Sequence, residues 1–146
     1  MTEKDNIFIK EYEILVDSTT QVTSWRQNAN NFYLTVNTAL VAVDSYLLSV
    51  NSHIGLIVCV SGIIITILWK ETIQYYGDLN KIKFNKIHKM GEKLPVAIFK
   101  DEWTELKKKH GKITPSRIEK WVPIVFLLAY LFVLGSYVYP ILITYL

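Results

Sequence analysis

The residues best placed to do chemistry are polar groups inside an apolar stretch. Asn30, Asn37, Asp44 and Asn51 recur at intervals of seven, and Asn31, Thr38, Ser45 and Ser52 repeat that interval one position later. Seven residues are nearly two helical turns, so the sequence predicts one narrow polar stripe made of all eight positions. The other side carries Phe32, Val36, Leu40, Val43, Leu47 and Val50. At bilayer depth a carboxylate such as Asp44 costs about 3 kcal/mol unless it is paired, neutralised or wet. No Lys or Arg lies in the apolar segments to pair with it. Three readings stay open: Asp44 lines a water-filled lumen, hydrogen-bonds across subunits, or is protonated. In a lumen, a ring of carboxylates favours cations. Without a lumen, the same stripe glues helices together.

Other chemistries find no support. His53, His88 and His110 have no metal-ligand spacing, and the lone Cys59 sits in an apolar run. No metal, cofactor or internal disulfide is expected. There is no G-x-S-x-G and no phosphate-cradling glycine loop. Arg26 and Arg117 are the only arginines, and neither begins an R-x-H ribonuclease motif. The chain is therefore expected not to be an enzyme. Lys107, Lys108 and Lys109, with Lys112, fit contact with anionic lipid headgroups better than RNA. No direct nucleic-acid partner is expected.

The elements that hold these residues follow from where the charge falls. Hydrophobic residues make up 51% of the chain and charged ones 20%, yet Asp44 is the only charge between Arg26 and Lys70. From Trp121 to Leu146 there is none. Soluble helices keep a wet face along their length, so a soluble globular enzyme is excluded. Segments 32–50, 54–69 and 121–146 are the candidate spans, with Asn51-Ser52-His53 as the turn between the first two. Trp69 and Lys70 mark one interfacial end.

Residues 70–120 hold 13 Lys/Arg against 7 Asp/Glu. The positive-inside rule puts that block in the cytoplasm; with three spans the N-terminus is cytoplasmic too and the C-terminus outside, whereas if 32–50 only lies against the bundle the N-terminus is outside instead. The first 30 residues show no secretory signal.

Helical spacing extends beyond the spans. Tyr12, Leu15, Thr19, Val22, Arg26 and Ala29 run at intervals of three and four into the first span. Residues 70–90 prolong the second span, with Tyr75, Leu79 and Ile82 on one face, until Gly91 and Pro95 end it. A short helix is expected over 101–109, and Ser116 and Glu119 have capping-box spacing before the last helix. The division is an amphipathic helical arm (1–30), a transmembrane hairpin (31–69), a basic cytoplasmic helical region (70–120) and a C-terminal span (121–146). The fold class is all-α: an integral membrane protein with two to three transmembrane helices plus cytoplasmic helices, assembled as a ring-like homo-oligomer.

Several of these segments carry a family resemblance. WRQNANNFYLTVNTAL (25–40), YYGDLNKIKFNKIHKMGEKLP (75–95), DEW (101–103) and IEKWVPIVFLLAY (118–130) are similar to the RipA family of small bacterial membrane proteins. The shared pattern is an R-Q-x-A-N-x-F-x-L-x-x-N-T-A-L entry helix, an L-N-x-x-K-F-x-x-I-H segment, an L-P before an E-W, and a W-V-P opening of the last span. The matching positions are Trp25, Arg26, Gln27, Asn30, Asn37, Leu79, Asn80, Lys83 and Phe84. The resemblance implies an octamer in the inner membrane. It extends, more distantly, to the membrane-pore protein that accompanies type VI CRISPR effectors. That likeness implies a pore whose opening depolarises the cell as antiviral defence, with a cytoplasmic activating protein as a possible partner. The alternative is a non-conducting scaffold that docks a cytoplasmic partner through residues 70–120.

Overall fold

The computed structural model describes residues 3–50, 53–93 and 119–145. Among them lie three helices and no strand: α1 (Glu3–Ser49), α2 (Ile54–Gly91) and α3 (Val122–Tyr145). All three are long and apolar enough to cross a membrane. At 1.5 Å per residue they run about 70, 57 and 36 Å, against a hydrocarbon core of about 30 Å. α1 is therefore more than twice as long as that core is thick and α2 nearly twice as long, whereas α3 is close to it.

The chain passes through residues 30 and 70 without a break in either helix. The expected borders between arm, hairpin and basic region thus coincide with no helix end. No glycine or proline lies between Glu3 and Ser49, so nothing interrupts the hydrogen-bond ladder there. The prolongation of α2 stops at Gly91 as expected: the backbone N–H of Glu92 donates to His88 O (3.1 Å) and that of Lys93 to Met90 O (3.1 Å). Pro123 falls in the first turn of α3, where it removes no intrahelical bond, and the Ile124 and Val125 N–H groups both donate to Trp121 O. The short helix expected at 101–109 and the Ser116 cap lie outside the described residues.

α2 is the central helix and packs against both others. Its buried residues are Gly55, Cys59, Gly62, Thr66, Trp69, Ile73, Asn80 and Ile87. From Gly55 to Ile73 they alternate steps of four and three, the seam of a left-handed coiled coil, and that register continues to Ile87. α1 answers with Thr19, Val22, Asn37 and Asp44.

Between the Glu3 half of α1 and the Gly91 half of α2, Asn80 Nδ2 donates to Thr23 Oγ1 (2.9 Å) and Lys83 Nζ donates to Ser18 Oγ. Arg26 Nε pairs with Glu119 Oε2 at 3.4 Å, tying α1 to the approach of α3. The face carrying Tyr75, Leu79 and Ile82 turns away from α1, with Tyr75 66% exposed. The face of α2 that packs is the one through Ile73, Asn80 and Ile87.

Candidate functional site

Adjacent residues on an α-helix point about 100° apart. The edge of the protomer's core runs between the two polar series on α1 and divides them. Asn37 and Asp44 are both 0% exposed, and Asn30 is half-buried. Asn31, Thr38 and Ser45 are exposed. The single stripe expected from the sequence is therefore two stripes with different surroundings. Asn51 and Ser52 lie outside the described residues.

The inward stripe meets partners in three layers, each seven residues from the next. In the first, Trp69 Nε1 donates to Asn30 Oδ1 (3.1 Å) while its ring stacks on Tyr33 and packs against Phe126. Trp69 is wholly enclosed by protein instead of facing the lipid interface. In the second, Asn37 Nδ2 donates to Tyr33 O (2.9 Å), and the Thr66 hydroxyl lies 2.7 Å from Asn37 Oδ1 and 2.8 Å from Gly62 O. The Tyr130 hydroxyl donates to the Asn37 backbone carbonyl (3.3 Å). In the third, the Tyr137 hydroxyl lies 3.1 Å from Asp44 Oδ1 and 3.4 Å from Asp44 O.

Each tyrosine crosses α2 to reach α1, and two glycines permit the crossing. A Cβ on Gly62 would sit 2.3 Å from the Tyr130 ring, and one on Gly55 would sit 1.7 Å from the Tyr137 hydroxyl. Gly55/Gly62, Tyr130/Tyr137 and Asn37/Asp44 are each seven apart, one pair per helix. Asp44 thus takes its hydrogen bond from within its own chain, a partner absent from the three readings drawn from the sequence. Its Oδ2 is buried with no hydrogen-bond partner among the described residues.

The outward stripe is longer than the pattern of sevens suggests. Asn31, Thr35, Thr38, Ala42, Ser45 and Ser49 follow at alternating steps of four and three, all exposed. They lie on the side of α1 away from α2 and α3. Thr35, Thr38 and Ser45 return their hydroxyls to the carbonyls of Asn31, Leu34 and Val41 at 2.7–2.9 Å, and Ser49 returns its own to Tyr46 O at 2.6 Å. The stripe carries oxygen and amide groups but no charge. Phe32, Val43, Tyr46 and Val50 form an exposed apolar flank beside it, whereas Leu40 and Leu47 are half-buried.

The motif residues also separate. Arg26, Asn80 and Lys83 join the helices as described above, and Leu79 is half-buried. Trp25 and Phe84 are 47% and 45% exposed in the protomer, and Gln27 is exposed as well. Lys107, Lys108 and Lys109 lie outside the described residues. Among the described residues no group of His, Cys, Asp and Glu could hold a metal ion. Cys59 is buried, its thiol donating to Tyr130 O (3.4 Å).

No curated protein and no solved structure matches the chain. The pattern of one family does match, over residues 9–139. That stretch takes in all the inter-helix polar contacts just described, from Ser18–Lys83 to Asp44–Tyr137. Three membrane-length helices, with a polar face on α1 that neither α2 nor α3 covers, agree with a self-associating membrane protein, and the chain belongs to the octameric membrane protein family (8xMP).

Proposed function

We propose that the protein is a homo-oligomeric pore of the bacterial inner membrane, without enzymatic activity, whose lumen is lined by the outward stripe of α1. The observation that carries this reading is the exposure of Asn31, Thr35, Thr38, Ser45 and Ser49 on one face at membrane depth. Amides and hydroxyls on a span are stable against water or protein and costly against acyl chains. Arranged about a common axis, copies of this stripe give a neutral, wettable wall. The basic excess of residues 70–120 supports a cytoplasmic N-terminus. Use of the pore to depolarise the cell in defence is suggested by the motif resemblance, which also favours a cytoplasmic activator.

A specific observation favours a second reading. Four of the stripe's hydroxyls are already satisfied by their own helix, so small residues at steps of three and four also suit close packing between subunits without a lumen. The scaffold that docks a partner through residues 70–120 is that case.

Potassium flux from liposomes holding the purified oligomer separates the two. Thr38→Leu combined with Ser45→Leu should abolish flux while leaving the oligomer's mass unchanged. Loss of the oligomer together with flux would favour the packing reading. A parent octamer that passes no ions would remove the pore reading altogether.

A further inference from the structure

The outward stripe does not stop where the membrane does. The same alternating steps continue toward the N-terminus through Asn28, Ser24, Gln21 and Asp17, every one exposed. From Asp17 to Ser49 the stripe has ten positions, and Asp17 is its only charge. Below it Ile14 and Ile7 interrupt the polar run, with Lys10 and Glu3 on the same face beyond. No ion-pair partner for Asp17 appears among the described residues.

We infer that Asp17, not Asp44, sets the charge preference of the conduction path, and that the ions it favours are small cations. This rests on the pore reading above. Cyclic symmetry turns one exposed carboxylate per subunit into a ring at the cytoplasmic entrance, about 20 Å along the helix from Asn30. Rings of carboxylates concentrate cations at a pore mouth, the more so when low-dielectric walls focus their field. Asp44 is the residue that sequence alone selects for this role. Its carboxyl is 0% exposed and bonded to Tyr137, turned about 100° around α1 from Ser45 of the outward stripe. The remaining stripe residues between Gln21 and Ser49 contribute dipoles without a net sign.

The test is the reversal potential of the octamer in planar bilayers under a KCl gradient at low ionic strength. The parent should prefer cations. Asp17→Asn should lose that preference roughly tenfold through the missing local accumulation, and Asp17→Lys should turn it toward anions. Asp44→Asn, which keeps an acceptor for Tyr137, should leave it unchanged. Lys10→Gln should strengthen it. In concentrated salt the parent and Asp17→Asn should converge, because the ring is screened. An unchanged reversal potential in Asp17→Asn, or a preference lost in Asp44→Asn, overturns the inference and leaves the pore standing. Absence of any current from the parent defeats the pore reading and this inference with it. Asp17 is exposed and outside the protomer's packing, so light scattering should find its variants octameric.

Discussion

Asn37 and Thr38 are neighbours in sequence with side chains of similar polarity, yet they face different surroundings. Asn37 is enclosed by Tyr33, Thr66 and Tyr130, whereas the exposed Thr38 hydrogen-bonds, among the described residues, only to Leu34 O of its own helix. Asp44 and Ser45 repeat the contrast one heptad later. Polarity in a span therefore has two separable uses: it fixes three helices in register, and it leaves one face that hydrocarbon disfavours. Substitutions in the first set should damage the protomer; those in the second should spare it and change what the assembly does.

The contrast can be broken most severely at the glycines. Gly62→Ala places a methyl group inside the Tyr130 ring's position, and the displaced ring should cost about 3 kcal/mol of thermal stability in detergent. Tyr130→Leu should relieve that clash, so the double substitution should cost less than the sum of the singles. Strict additivity would mean that the ring does not cross there.

Next in size are the inward polar residues. Asp44→Leu leaves the Tyr137 hydroxyl with only the backbone carbonyl, and Asn37→Leu strips Thr66 of one acceptor. Each should lower protomer stability by about 1 kcal/mol, within the range measured for hydrogen bonds between membrane helices. If either variant were as stable as the parent but non-conducting, the inward assignment would be wrong. Thr38→Leu and Ser45→Leu should shift protomer stability by no more than about 0.5 kcal/mol, while flux falls. The smallest effect belongs to the Arg26–Glu119 pair, where Glu119→Gln should cost about 0.5 kcal/mol and the loss should shrink as salt is added.

Much of this was legible in the order of residues. Helix boundaries at Gly91 and near Asn51 followed from punctuation, the three membrane-length apolar helices from the distribution of charge, and the continuity of α1 from the 3,4 spacing that runs through Ala29. The orientation of the stripe was not. A heptad repeat says that Asn30, Asn37 and Asp44 share a direction, and that Asn31, Thr38 and Ser45 share another. It says nothing of which direction another helix will occupy, and a rotation of about 100° is enough to bury one series and expose the next. The partners were present as a signal that only pairing explains: Gly55/Gly62 and Tyr130/Tyr137 have the same spacing, but a glycine pair reads as a tolerated weakness until a ring is seen lying across it. Trp69 misled in the same way, because a tryptophan at the end of a span fits an interfacial belt as well as it fits an enclosed junction.

The unbroken run of α1 from Glu3 to Ser49 has a mechanical consequence. A rod about 70 Å long, pivoting by about five degrees at its Ser49 end, swings its Glu3 end by about 6 Å. A modest tug on the Glu3 end would tilt the polar face from Asn31 to Ser49 through the same angle, with no helix break between them to absorb it.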